Sequence, residues 1–243
     1  MSRYLTTSAI TLRWQPWRED DRVYTLFASA TGKVEAIAPG SQKLRSKLAG
    51  HLEPFGEVLV TLAQRGQTTK LAGAVCRRRY RRISQHGPAL EAAGRCFRLT
   101  RSVVGVGQPD FQVYALLKEL LEQLDSASGE PTAAAAPTVY AMQLMRCVGL
   151  QPRLDRCGRC SQMLAEGFFD IAAGAVRCRG CAAAAHVALH PVESPCLRYL
   201  QAVLAATFPQ ALRLPVTPDA ALAARQLTDR FLEYHTEVRR RTP

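Results

Sequence analysis

Two Cys-x-x-Cys pairs constrain this chain more than any other stretch. Cys157-Gly158-Arg159-Cys160 is followed, after seventeen residues, by Cys178-Arg179-Gly180-Cys181. Four thiolates at this spacing close a tetrahedron around a Zn2+ ion, with Zn–S bonds of about 2.3 Å. A closed four-sulfur shell leaves no position for water or substrate, so the expected role of the metal is structural. The glycine inside each pair is expected to allow the tight turn that aims backbone N–H groups at the sulfurs. A redox Cys-x-x-Cys would not be expected twice, and disulfides need an oxidising compartment. The start, Met1-Ser2-Arg3-Tyr4-Leu5, lacks the basic-then-apolar order of a signal peptide, so the expected setting is a reducing cytoplasm. There Cys76, Cys96, Cys147 and Cys196 are expected to act as small buried apolar side chains. The chain has no apolar run approaching the ~18 residues of a membrane span.

The charge is unevenly placed. The net charge is +12, and residues 1–85 hold fifteen Lys/Arg against six Asp/Glu, whereas residues 86–149 hold five against six. A positive field concentrated in the first third favours polyanions, nucleic acid first and acidic membrane surface second. Charge serving solubility alone would be spread more evenly.

That same third reads as strands. Residues 4–14 alternate apolar and polar side chains, 22–30 are rich in Val, Tyr, Leu and Phe, and 33–38 follow a Thr31-Gly32 turn. Residues 57–64 and 68–80 form a further pair across Arg65-Gly66-Gln67. Five strands in so short a span predict a small closed barrel, an oligonucleotide-binding (OB) fold by strand number, with an SH3-like barrel as the alternative. Helices are predicted over 91–104, over 111–124 with Asp110 as N-cap, and over 138–148, 193–207 and 219–240. In the last, Leu222, Leu227, Phe231, Leu232 and Val238 are the candidate core contacts. Residues 125–137 read as a flexible Ala/Pro connection. The expected fold class is α+β. A barrel over 1–82 precedes an α-helical domain over 83–150 and 191–243, into which a zinc module over 151–190 is inserted; the helices on both sides of that module are expected to share one bundle.

The candidate nucleic-acid contacts are basic. In Arg77-Arg78-Arg79-Tyr80-Arg81-Arg82, strand alternation would put Arg77, Arg79 and Arg81 on one side and Arg78, Tyr80 and Arg82 on the other. Neither set suits a core, so the run is expected to emerge as an exposed ribbon whose arginines bind phosphates and whose Tyr80 stacks a base. A second patch is Lys43, Arg45 and Lys47, with Leu44 and Leu48 turned to the barrel and Lys33 just upstream. Trp14 and Trp17 are stacking candidates, although a tryptophan in a small barrel is more often core. Arg156, Arg159, Arg177 and Arg179 are read as counter-charges to a four-thiolate zinc site of formal charge about −2 rather than as DNA ligands. No G-x-x-x-x-G-K-[ST] loop is present, and neither the acidic residues nor the five histidines show catalytic spacing, so a binder is expected rather than an enzyme.

Several motifs together resemble one family. They are Asp20-Asp21-Arg22-Val23-Tyr24-Thr25-Leu26-Phe27, Gly32-Lys33-Val34, Ala38-Pro39-Gly40-Ser41-Gln42-Lys43, Ser46-Lys47-Leu48 and Leu52-Glu53-Pro54-Phe55. Val148-Gly149-Leu150-Gln151-Pro152-Arg153-Leu154-Asp155 then runs into Cys157, and Gly174 precedes the second cysteine pair. The chain resembles the RecO family, bacterial recombination mediators of the RecF pathway of DNA repair. The resemblance implies an N-terminal OB-fold, a helical domain and a zinc module. It further implies binding of single- and double-stranded DNA, annealing of complementary strands, and work with RecR to place the RecA recombinase on DNA covered by single-strand-binding protein (SSB), at the nucleoid. Two other classes stay open on the residues: a zinc-ribbon factor acting in transcription or on RNA, and a DNA enzyme with an unrecognised acidic site.

Overall fold

The computed structural model describes residues 3–43, 45–126 and 130–236. It divides into two compact units, Met1–Glu130 and Pro131–Pro243.

In the first unit, strands β1 (Arg3–Pro16), β2 (Arg22–Ala28), β3 (Gly32–Ala38), β4 (Gly56–Arg65) and β5 (Thr68–Arg79) close a barrel in the order β1-β2-β3-β5-β4. All pairings are antiparallel except β3 with β5, which run parallel at Ile37 and Lys70. That crossover past β4 is the Greek-key closure of an OB-fold and sets aside the SH3-like alternative. The period-2 pattern explains the core. Along β4, Gly56, Val58, Val60 and Leu62 are buried while the residues between them are half-exposed. They meet Tyr24, Leu26, Ala36, Ala38 and Leu71 inside the barrel. The segment between β3 and β4 crosses one end as a strap with a short 3-10 turn at Ala49–His51; Leu52 plugs the core and Leu48 packs against it. Leu44, expected to share that role, lies outside the described residues.

Three helices complete this unit: α1 (Arg81–Gln85), α2 (Gly87–Val103) and α3 (Phe111–Ser126). Asp110 caps α3 as expected, its Oδ1 accepting from the N–H groups of Gln112 at 2.8 Å and Val113 at 3.0 Å. The stripe Val113, Leu116, Leu117, Leu120, Leu121 and Leu124 is buried throughout. The linker before α3 lies on the β2–β3 hairpin, where Gly107 N–H donates to the Lys33 carbonyl at 2.9 Å. Gly32 has φ +69°, and a Cβ there would sit 1.8 Å from the Gln108 carbonyl oxygen, so only glycine fits.

The second unit contains α4 (Glu130–Cys147), β6 (Gly167–Asp170), β7 (Ala175–Arg177), α5 (Arg179–Ala183), β8 (His190–Val192), α6 (Ser194–Ala205), α7 (Phe208–Ala211) and α8 (Pro218–Thr236). The Ala/Pro stretch expected as a flexible connection is mostly helix. Alanine is the best helix former, Ala133 and Ala136 are buried beside Val139 and Tyr140, and this packing outweighs the hydrogen bond that Pro137 cannot donate. The compact units part at Glu130. Helices α1–α3 go with the barrel, and α4 goes with the helices beyond the cysteines. In α8, Leu227, Phe231 and Leu232 are buried as expected, but Leu222 is 55% exposed; Val238 lies outside the described residues. Cys96 and Cys196 are buried, whereas Cys76 and Cys147 are only half-buried. No described helix is long and apolar enough to cross a membrane.

Candidate metal centre and nucleic-acid interface

The four cysteines converge. Cys157 and Cys160 lie on the loop leading to β6, and Cys178 and Cys181 bracket the start of α5 at the end of the β6–β7 hairpin. All four Sγ atoms lie within 4.8 Å of one another, and those of Cys160 and Cys178 are 3.8 Å apart. A tetrahedron with bonds of ~2.3 Å has sulfur–sulfur edges of about 3.8 Å, so these residues fit a four-sulfur metal site. Backbone N–H groups support the sulfurs: Cys178 N–H donates to Cys157 Sγ and Cys181 N–H to Cys178 Sγ, each at 3.4 Å. Burial opposes ionisation of Cys157, but N–H groups of Cys160, Cys178 and Arg159 outweigh it and bring the thiol to about 6. Cys181 is pushed up to about 12, first by its hydrogen bond with Cys178 and then by desolvation. A bound dication favours ionisation of all four sulfurs.

The knuckle glycines act differently from the expectation. Neither Gly158 nor Gly180 has a positive φ; the left-handed residue of the first knuckle is Ser161, at +62°. Gly158 is required by close approach, since a Cβ would lie 2.8 Å from the Ala175 Cβ, while Gly180 has open space. Two of the four arginines read as counter-charges have carboxylate partners, one in a largely buried pair and one in a pair open to solvent. Arg177 pairs with the buried Asp170, and Arg156 with Asp155 at 3.5 Å. Arg159 and Arg179 stay exposed beside the cluster. The cysteine segment is built into the second unit. Phe169 meets Phe231 of α8 edge-on at 5.8 Å, and Gln201 of α6 donates to the Leu154 carbonyl at 2.8 Å.

The basic residues of the first unit form a surface running along the strap. At one end the strap is tied to the β1–β2 loop: Gln42 N–H donates to the Asp20 carbonyl at 2.8 Å, Gly40 N–H to Asp21 Oδ1 at 2.8 Å, and Lys43 pairs with Asp20 at 3.0 Å. At the other end Arg79 donates to the Gly50 carbonyl, and the Cys76 N–H donates to His51 Nδ1 at 3.2 Å. The strap therefore links the Lys43–Lys47 patch to the end of β5. Arg45, Lys47, Arg77, Arg81 and Arg82 have no ion-pair partner among the described residues, and Arg45, Arg77, Arg81 and Arg82 are exposed. The Lys43–Asp20 pair is open to solvent on both sides, so it is weak and leaves Lys43 free to exchange partners.

Two expected contacts turn inward. The ring of Tyr80 is 2% exposed and unavailable for stacking, because the chain leaves β5 at Arg79 and buries Tyr80 at the turn into α1. Lys33 donates its Nζ to the Arg101 carbonyl at 2.7 Å, and burial lowers its pKa, opposed by Glu35. Arg78 is drawn to α3 by Glu122 at 2.8 Å and lies over the Tyr80 ring at 4.8 Å. Strict alternation in the arginine run also fails, since the β4–β5 register shifts between Glu57 and Val58 and leaves Arg77 in a bulge. Trp17, a stacking candidate in the sequence, is 54% exposed in the β1–β2 loop, and the residue missed beside it is Arg18. Loops of this position bind oligonucleotides in OB-folds, which was the available signal. Trp14 is half-buried against the core, with the Arg22 guanidinium over its ring at 4.0 Å.

The chain is similar in sequence to known proteins. Residues 1–79 match the family model "Recombination protein O N terminal", and residues 84–243 match "Recombination protein O C terminal". The chain is 31% identical over 232 residues to "DNA repair protein RecO" of Anaeromyxobacter sp. (strain K), covering 94% of this chain and 90% of the relative. It is 31% identical over 245 residues to the protein of that name from Myxococcus xanthus (strain DK1622), covering 97% and 93%. With that of Synechococcus sp. (strain JA-3-3Ab) the identity is 28% over 243 residues, covering 95% and 80%.

Proposed function

The chain belongs to the RecO family of DNA repair proteins, and we propose that it acts as a DNA-binding recombination mediator, annealing complementary strands. The observation that carries this reading is the strap, which joins two clusters of exposed cations on an OB-fold barrel. The DNA-binding module is the barrel of residues 1–82. Lys43, Arg45 and Lys47 on the strap, with Arg77, Arg79, Arg81 and Arg82 at the end of β5, contact phosphates of single- and double-stranded DNA with little sequence preference. Covering both backbones with cations lowers the repulsion between complementary strands, so they pair on one protein surface. The step is binding, not bond making, and no catalytic residue is assigned.

The four sulfurs are assigned to one Zn2+ per chain, held by Cys157, Cys160, Cys178 and Cys181. Its role is to fix the β6–β7 hairpin and α5 within the second unit. The partners proposed with DNA are RecR, SSB and the RecA filament, within the RecF pathway, in the cytoplasm at the nucleoid. The test is annealing of complementary strands coated with SSB, with and without RecR. Acceleration by the wild-type chain and its loss on Arg77, Arg79 and Arg81→Ala is the expected result. Equal annealing by both proteins contradicts the assignment. Stronger binding to RNA than to DNA of one sequence would favour a transcription or RNA factor instead.

A further inference from the structure

Beside the arginine run the strap, the end of β5 and α1 enclose an open cleft of about 310 Å³. Its lining includes His51, Glu53, Phe55, Arg79, Arg81 and Ser84. The volume is at the small end of ligand pockets, enough for one base with its sugar and far too small for a duplex. The lining is partly apolar, and it carries two guanidinium groups. Arg79 is held in place by the Gly50 carbonyl, and the Arg81 guanidinium has no ion-pair partner among the described residues.

Two details point to a ligand that is planar and polar at its edge. His51 lines the cleft and accepts the Cys76 N–H at Nδ1, which fixes the ring and leaves Nε2 to face a ligand. Phe55 has φ +59°, a conformation that favours glycine, yet the position carries an aromatic ring. Such strain persists where the surroundings over-determine it, and it clusters at ligand clamps. Here it is held by the Phe97 ring at 5.3 Å and by the Phe55 carbonyl accepting from Tyr80 N–H at 3.2 Å. Glu53, the acid among the cleft's lining residues, repels a phosphate from the interior and can accept from a base amino group.

We propose that this cleft holds one unstacked nucleotide of a single DNA strand, its base between His51 and Phe55 and its flanking phosphates on Arg79 and Arg81. This rests on the reading of the arginine run as a DNA contact and adds to it a reason to distinguish strands. Paired bases cannot enter, so the cleft contributes to single-strand binding alone, and a strand held with one base turned out is interrupted in its own stacking.

The test fills the cleft without changing charge. Ser84→Trp and, separately, Cys76→Phe are compared with Arg79→Ala/Arg81→Ala in the full chain, by anisotropy with a labelled 20-nucleotide strand and the corresponding duplex. Circular dichroism confirms folding of each variant, and using two filling variants guards against one that misfolds. Each filling variant is expected to weaken single-strand binding about tenfold, the size of one base-stacking contact, and to leave duplex affinity unchanged. The arginine variant is expected to weaken both. Unchanged single-strand affinity in both filling variants, with loss in the arginine variant, overturns the cleft and keeps the phosphate contacts. Unchanged affinity in all three overturns the DNA reading of this face, and the cleft with it.

Discussion

Asp170→Asn isolates the one charge on which the β6–β7 hairpin depends. Asp170 is 3% exposed and is paired with Arg177, whose side chain keeps 21% of its exposure. Asparagine preserves the shape and can still accept the Ala173 N–H, which Asp170 Oδ1 accepts at 3.0 Å. What is lost is the negative charge facing a mostly buried guanidinium. Removing one partner of a buried pair costs ~3–5 kcal/mol. Residual solvent around Arg177 screens part of that, leaving about 2–3 kcal/mol. For a unit of this size the melting temperature of the second unit should drop by roughly 10 °C. Calorimetry reads the shift, and hydrogen exchange over residues 168–177 assigns it. Both tryptophans, Trp14 and Trp17, are in the first unit, so their fluorescence reports the barrel alone and should not move. Asp170→Asn/Arg177→Leu, which removes both charges, should recover most of the loss. A drop under about 2 °C, or a double variant no better than the single one, refutes the pairing argument.

Three further outcomes are expected. Gly32→Ala places a Cβ 1.8 Å from the Gln108 carbonyl oxygen at a positive φ, and should destabilise the barrel by roughly 3 kcal/mol or more, seen as an early tryptophan transition. Tyr80→Phe should leave DNA affinity unchanged and neutral-pH stability within about 1 kcal/mol, because the hydroxyl is buried and has no hydrogen-bond partner among the described residues. Burial pushes the Tyr80 pKa up to about 12 from 10.0, so the folded state holds this proton more tightly than the unfolded chain does. Its contribution is complete below pH 10 and is lost as pH rises through 12; an alkaline stability curve of Tyr80→Phe should lack that share, and an identical curve would contradict it. Chelation of the metal or Cys157→Ser should abolish exchange protection around residues 153–183 and reduce solubility while tryptophan fluorescence stays native; a fully protected metal-free chain overturns the structural role.

The barrel was legible because β4 alternates, so that Val58, Val60 and Leu62 can face only one way, and because five strand-like runs in so short a span admit few closures. The cysteine spacing was equally readable, since a four-sulfur site is a local demand on residue type. What escaped the sequence depended on tertiary context. The Ala/Pro stretch carries linker composition, and only burial of Ala133 and Ala136 makes it a helix. The Arg77–Arg82 run reads as one exposed ribbon, but the bulge at Arg77 and the turn after Arg79 divide it, burying Tyr80 and giving Arg78 to Glu122. Lys33 reads as a surface cation, and nothing local announces the Arg101 carbonyl, 68 residues away in sequence, that takes its ammonium. The strap joins the two basic clusters through backbone and side-chain hydrogen bonds whose partners are distant in sequence, so their union was visible only in the fold.

The most direct measurement is the salt dependence of single-strand affinity for the wild-type chain and for Arg77→Ala/Arg79→Ala/Arg81→Ala. Each phosphate neutralised on a single strand contributes ~0.7 to the slope of log affinity against log salt. Loss of three contacts should reduce the slope by about 2 and weaken binding most at low salt, with the second unit's melt unchanged. Equal slopes and equal affinities for the two proteins would mean that the end of β5 does not carry DNA.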